Sequence, residues 1–280
     1  MKRKINIYNL HTHIGQTKAG VEFGPDYLKE LGLIGRLIDL GYEVSTFDLY
    51  DTYDFNKFNS LITMKNNLEK ILDLKDEALQ LFIGGDHSLS FSSLSSLKLD
   101  ENSVVIWLDA HADMNTVSTS PTGSLHGMPL AYAMGYGEEN DILGIFDKKI
   151  KSDNVFLIGQ RAIDKQERAL IDSSGVHFYG AEIIEKNPKW LEECLSEIST
   201  RARKVHLSFD IDSLDSTLVP GTGTPVENGL SETTVLDFIQ KLKDRVRITS
   251  MDFVEINPYL DMKDKRTGKQ AMRIIEEILK

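Results

Sequence analysis

Short apolar runs recur along the chain, separated by longer stretches in which apolar positions return with helical spacing. Leu81-Phe82-Ile83, Val104–Leu108, Val155–Ile158 and Ile248–Val254 read as strands, as does the alternating Val205-His206-Leu207-Ser208-Phe209. Continuous apolar runs suit strands covered on both faces, as in a parallel sheet. Helical spacing predicts helices over Pro25–Leu40, Phe58–Leu74, Asp164–Ser173, Pro188–Thr200, Ser231–Leu242 and Gly268–Leu279. Ser231 is a suitable N-cap, although Glu232 stands two positions too early for a capping box. Strand–helix alternation predicts a three-layer α/β/α fold with a central, mostly parallel sheet. With no internal repeat and no low-complexity linker, a single domain over 1–280 is the simplest organisation.

Composition narrows the partners. The 32 Lys and Arg against 43 Asp and Glu leave a formal charge of −11. With no basic run, this argues against a nucleic-acid partner and suits cationic ligands. The single cysteine, Cys194, rules out an intrachain disulfide. It lies in the amphipathic stretch Trp190–Leu195 and reads as a packing residue. The basic start Met1-Lys2-Arg3-Lys4 is not followed by an apolar stretch long enough for a signal peptide or membrane span. The expectation is a cytoplasmic protein without a membrane partner.

In open parallel sheets, ligands bind beyond the carboxyl ends of the strands. Three strand ends carry Gly84-Gly85-Asp86-His87-Ser88, Asp109-Ala110-His111-Ala112-Asp113 and Asp210-Ile211-Asp212. Alternate residues of an extended chain point to one side, so Asp109, His111 and Asp113 can converge, as can Asp210 and Asp212. Four aspartates at one point repel strongly unless cations neutralise them, and two divalent metals balance four carboxylates. Oxygen and imidazole ligands suit Mn²⁺, with other divalent first-row metals compatible. Two such ions about 3.5–4 Å apart can share a water and lower its pKa.

These three segments resemble the metal-binding signatures of the ureohydrolase family, which comprises arginases, agmatinases and formimidoylglutamases. The resemblance begins at Gly15-Gln16 and Gly20–Pro25 and continues through Leu125–Pro129 and Gly221–Pro225. It reaches Met251–Pro258 near the end of the chain. It implies an arginase-like fold holding two Mn²⁺ per subunit. One ion would take His87, Asp109, Asp113 and Asp210, and the other His111, Asp109, Asp210 and Asp212. Asp113 would also orient the metal-bridging hydroxide. Glu255 matches the position that grips the guanidinium, His126 the proton shuttle, and Thr224 a residue beside the substrate. Family members form trimers or hexamers, so a homo-oligomer is expected.

The opening segment and Val254-Glu255-Ile256-Asn257-Pro258 look most like bacterial arginase, which implies hydrolysis of L-arginine to L-ornithine and urea. Asn115 matches a carboxylate-binding position, and Asp164 and Glu167 match receptors of the α-amino group. A helix start explains the latter two equally well. Bacterial arginases usually carry Ser-Pro-Ser-Gly-Asn where this chain has Ser120-Pro121-Thr122-Gly123-Ser124. Thr122 keeps a hydroxyl, whereas Ser124 replaces an amide that donates to the carboxylate. Agmatine, a modified or peptidyl arginine, and formimidoylglutamate are therefore alternative substrates. A non-catalytic, metal-bound arginine-binding protein is the alternative of a different class, but such a scaffold has no need of His126. His11-Thr12-His13 after Ile5–Leu10 imitates the entry to amidohydrolase barrels, yet that reading leaves the aspartate clusters unexplained.

Overall fold

The computed structural model describes residues 3–73, 77–99, 102–138 and 145–280. Its eight strands are β1 (Arg3–His11), β2 (Tyr42–Tyr50), β3 (Leu79–Gly84), β4 (Ser103–Leu108), β5 (Val155–Ile158), β6 (His177–Tyr179), β7 (Lys204–Asp210) and β8 (Ile248–Val254). They form one sheet in the order β2-β1-β3-β8-β7-β4-β5-β6. All seven pairings are parallel, so the sheet is parallel throughout and not merely for the most part. The edges β2 and β6 do not close on one another, which excludes a barrel among the described strands.

Among the described residues, ten α-helices flank the sheet: α1 (Gly24–Glu30), α2 (Leu33–Asp39), α3 (Lys57–Ile71), α4 (Ser90–Ser96), α5 (Pro129–Met134), α6 (Lys165–Ser174), α7 (Ala181–Lys186), α8 (Trp190–Arg201), α9 (Glu232–Lys243) and α10 (Arg266–Leu279). Side-chain parity sorts them into two layers. Ile5, Ile7, Val104, Ile106 and Leu108 face a core shared with α1, α2, α8, α9 and α10. Their alternates Tyr8, Leu10, Val105 and Trp107 face the opposite side, against α3, α4, α5 and α6. This period of two, with both sides apolar, is why the central strands read as unbroken apolar runs.

The helix expected over Pro25–Leu40 is two helices. Gly32 adopts φ +93°, a left-handed turn that stops α1 and restarts the chain as α2. The third helix ends at Ile71; Leu74, where its end was expected, lies outside the described residues. The helix expected from Pro188 begins at Trp190. Ser231 caps α9 by accepting a hydrogen bond from Thr234 N–H at 3.1 Å. Cys194 is fully buried in the core and burial raises its thiol pKa, in keeping with a packing role.

Register fixes what meets at the carboxyl end. Trp107 of β4 lies beside Ser208 of β7, and Ser208 beside Asp252 of β8. Asp109 and Asp210, each two residues further on, therefore emerge side by side. A slip of one residue would turn either away.

Candidate metal centre and substrate pocket

At the mouth of β4 and β7, His87 Nδ1 lies 3.0 Å from Asp109 Oδ2, 3.0 Å from Asp113 Oδ2 and 3.3 Å from Asp210 Oδ2. His111 Nδ1 lies 3.3 Å from Asp212 Oδ2 and 3.4 Å from Asp109 Oδ1. Two ligand groups follow, His87-Asp109-Asp210 and Asp109-His111-Asp212, with Asp109 common to both. The two groups hold five of the six ligands expected from the sequence, and Asp113 joins them through His87; Asp210, expected to bridge with Asp109, falls in the first group alone.

The surroundings hold these side chains in place. Backbone N–H groups of His111 and Asp212 donate to Asp109 and Asp210, at 2.7 and 2.8 Å. The Trp107 indole donates to Asp109 Oδ2 at 3.1 Å and its ring stacks on His87. Ser208 Oγ lies 2.7 Å from His87 Nε2. Arg161 donates to the carbonyls of Asp212 and Leu214, pinning the loop after β7. Asp113 sits at φ +51°, its carbonyl accepting from Leu130 and Ala131 at the start of α5. Glu255 also holds a positive φ, +66°. Such conformations cost roughly 1–3 kcal/mol each and concentrate at functional sites.

Electrostatics test whether metals fit. In the first group the ligand atoms all lie within 4.8 Å of one another. At that distance two ionised carboxylates repel by roughly 3.5 kcal/mol at an effective dielectric constant near 20. Burial, with repulsion from Asp109, raises Asp113 to about 6. Burial, with Asp212 and Asp109, raises Asp210 well above its ordinary value. Burial would also raise Asp109, but the His111 and His87 rings hold it well below the carboxylate range. His87 Nδ1 and Asp113 Oδ2 are buried without a hydrogen-bond partner among the described residues, although they face one another. Unpartnered donor atoms turned towards a common space, in an excess of buried carboxylates, fit divalent cations.

Above this cluster opens a pocket of about 310 Å³. His87, His111, Asp113 and Asp210 line its base. Asn115, Ser120, Thr122, Ser124 and His126, with Asp164, Glu167 and Thr224, complete its lining. Asp109, Asp212 and Glu255 are buried and do not line the pocket. Thr224 Oγ1 donates to Asp212 Oδ2 at 3.1 Å. Asn115 donates to Asp164 Oδ2 at 3.2 Å. Glu167 accepts from the backbone of Met114 and Asp164, at 2.9 and 3.2 Å, so it supports the start of α6 while bordering the pocket. Burial raises Glu167 to about 7.

Glu255 joins several parts of the site. Its Oε1 accepts from His87 N–H at 3.1 Å and lies 3.2 Å from His126 Nδ1, while Oε2 accepts from Gln16 Nε2 at 2.9 Å. Burial opposes charge on His126, yet Glu255 outweighs it and lifts the imidazole to about 9. Sequence reasoning assigned no role to Gln16, Trp107, Ser208 or Ser120. Trp107 and Ser208 were accessible to it, since each stands two residues before a ligand aspartate on the same strand face. Of the two histidines that imitate a barrel entry, His11 turns to the Glu22 carbonyl and Asp48, and His13 lies 3.5 Å from Glu22; His206, inside β7, is buried against Ser250 and Asp252.

Comparison with known proteins agrees with this geometry. The model of the arginase family matches residues 3–280. An arginase of Bacillus subtilis is 37% identical over all of this chain and 98% of its own length. An arginase of Bacillus caldovelox is 34% identical, covering 94% of each chain. The crystal structure of the Bacillus subtilis arginase superposes with a TM-score of 0.89 at 38% identity, covering 99% of this chain and 98% of the other.

Proposed function

From the chain's membership of the arginase family, we propose that it hydrolyses the guanidino group of L-arginine to give L-ornithine and urea. The observation that carries this reading is the convergence of His87 and His111 with four aspartates at the floor of a polar pocket. The enzyme is a hydrolase of the guanidino C–N bond and depends on metal. Two Mn²⁺ are the proposed cofactor, one held by His87, Asp109, Asp113 and Asp210, the other by His111, Asp109, Asp210 and Asp212. When bound, such ions neutralise the carboxylates and make water a nucleophile near neutral pH.

The chain's own residues supply the rest. Glu255 offers the guanidinium a carboxylate already oriented by three neighbours, and charge-assisted hydrogen bonds of this kind are strong. His126, protonated beside Glu255, is the proton donor to the departing amine; proton transfer from a positioned imidazole contributes roughly 10²–10⁴-fold. Asp113 would accept a hydrogen bond from the attacking hydroxide and orient it. Asp164 and Glu167 receive the α-amino group, and Thr224 borders the substrate. Asn115, Thr122 and Ser124 are neutral donors suited to an α-carboxylate, which favours arginine over agmatine.

One catalytic domain over 1–280, assembled as a cytoplasmic trimer or hexamer, completes the proposal. No described helix is long and apolar enough to cross a membrane. The test is urea release from L-arginine and agmatine, side by side, on manganese-loaded protein. Selective release from arginine is expected. Release from agmatine alone would refute the carboxylate-binding role, and tight arginine binding without urea would favour a non-catalytic binder.

A further inference from the structure

The segment between β1 and α1 lies across the site without belonging to any strand end that carries a metal ligand. Its backbone is pinned at both ends. Gly15 N–H donates to buried Asp86 Oδ2 at 2.7 Å, and Gly15 O accepts from His126 N–H at 3.4 Å. A Cβ at Gly15 would come within 2.7 Å of both His126 N and the Ser88 side chain, so only glycine lets the segment lie this close. Further along, Ala19 O accepts from Asn257 Nδ2 at 3.1 Å, and the Lys18 ammonium donates to Gly223 O.

Between these anchors Gln16 is 6% exposed and directs its amide to Glu255 Oε2 at 2.9 Å. Gly223 leaves the room for this contact. A Cβ there would lie 2.7 Å from Gln16 Oε1 and 3.4 Å from Glu255 Oε2. The other oxygen of Glu255 already serves His87 N–H and the His126 ring. Among the described residues, Gln16 is therefore the one side-chain donor to Oε2, and it orients the carboxylate plane.

We infer that Gln16 is a positioning residue for guanidinium recognition, holding Glu255 in the orientation that receives the cationic end of the substrate. The inference rests on Glu255 being the guanidinium receptor, as proposed above. Gln16 touches neither the reacting atoms nor the metal ligands' side chains in this arrangement; its effect passes through Glu255. Without it, a buried carboxylate oxygen loses its donor and the side chain is free to rotate towards His126. Recognition of the amino-acid end of the substrate, assigned above to other residues, is unaffected.

The experiment compares Gln16→Leu, Gln16→Met and Glu255→Gln in the full-length manganese-loaded enzyme. KM and kcat for L-arginine are measured together with the inhibition constant of L-norvaline, which keeps the amino-acid end but has no cationic group on its side chain. Loss of one hydrogen bond to a charged group predicts a KM for arginine about tenfold higher in both Gln16 variants. The inhibition constant of norvaline should stay within about twofold, because nothing in its side chain pairs with Glu255. A parallel rise in both constants would mean general loosening of the pocket and overturns the inference. So does an unchanged KM when Glu255→Gln itself impairs arginine. If Glu255→Gln leaves arginine kinetics intact, the receptor assignment fails first and the role of Gln16 falls with it. Circular dichroism of each variant confirms folding, and the two Gln16 substitutions guard against failure of either one.

Discussion

Single residues set what the pocket can discriminate. Ser124 stands where bacterial arginases usually carry an amide, and its side chain borders the pocket beside Thr122 and Asn115. Restoring the longer donor in Ser124→Asn should lower KM for L-arginine roughly tenfold, the worth of about 1.5 kcal/mol for one hydrogen bond to a charged group. The KM for agmatine, which has no carboxylate, should not move. Steady-state kinetics on both substrates decide the matter, and an equal change in the two would remove the carboxylate contact from the account. The six candidate metal ligands were legible in the sequence as carboxylate and histidine clusters at strand ends, but the alternation expected to make them converge does not hold: Asp212 lies in a 3-10 turn over Ile211–Ser213, and Asp113 follows the end of β4 at φ +51°. Gln16 was not legible, because its partner Glu255 is 239 residues away and only the folded chain brings them together.

At the scale of elements, five of the six interior strands were legible, while β1 and the two edges were not. The central β4 and β5 are apolar and buried throughout, so their runs stand out. Strand β2 lies at the sheet edge with a mixed, largely solvent-facing sequence, and β6 has three residues, too few to show a period. The join of α1 to α2 was hidden because helical spacing persists across it, while the left-handed turn at Gly32 depends on one residue. A Cβ at Gly32 meets no neighbour within 4 Å, so strain alone opposes substitution there. Gly32→Ala should cost about 1–2 kcal/mol in urea unfolding with kinetic constants unchanged. Stability equal to that of the parent would show that the two helices tolerate a different junction.

The whole molecule gathers the carboxyl ends of β3, β4, β7 and β8 into one acidic floor, and its stability is linked to what neutralises that floor. Without metal, Asp113 is raised to about 6, chiefly by burial and the charge of Asp109. An acid whose folded pKa exceeds its unfolded value, near 4, stabilises the fold below that lower value and loses the contribution as pH rises through 6. The metal-free protein should therefore weaken between about pH 4 and pH 7 on this account. Bound cations reverse the trend, since they stabilise the ionised carboxylates and bind better as protons leave. Thermal unfolding with manganese and after verified chelation should show a Tm gap that widens from pH 5 to pH 8. A constant gap would mean that the carboxylates are not the metal's partners.

The central claim is that paired metals on these six ligands drive guanidino hydrolysis. Urea release from L-arginine, measured against manganese bound per chain, tests it most directly. The account predicts negligible release from the metal-free protein and activity that reaches its plateau as two equivalents bind, with Asp210→Asn failing at any loading. Full activity without metal, or two bound ions with no urea formed, would contradict it.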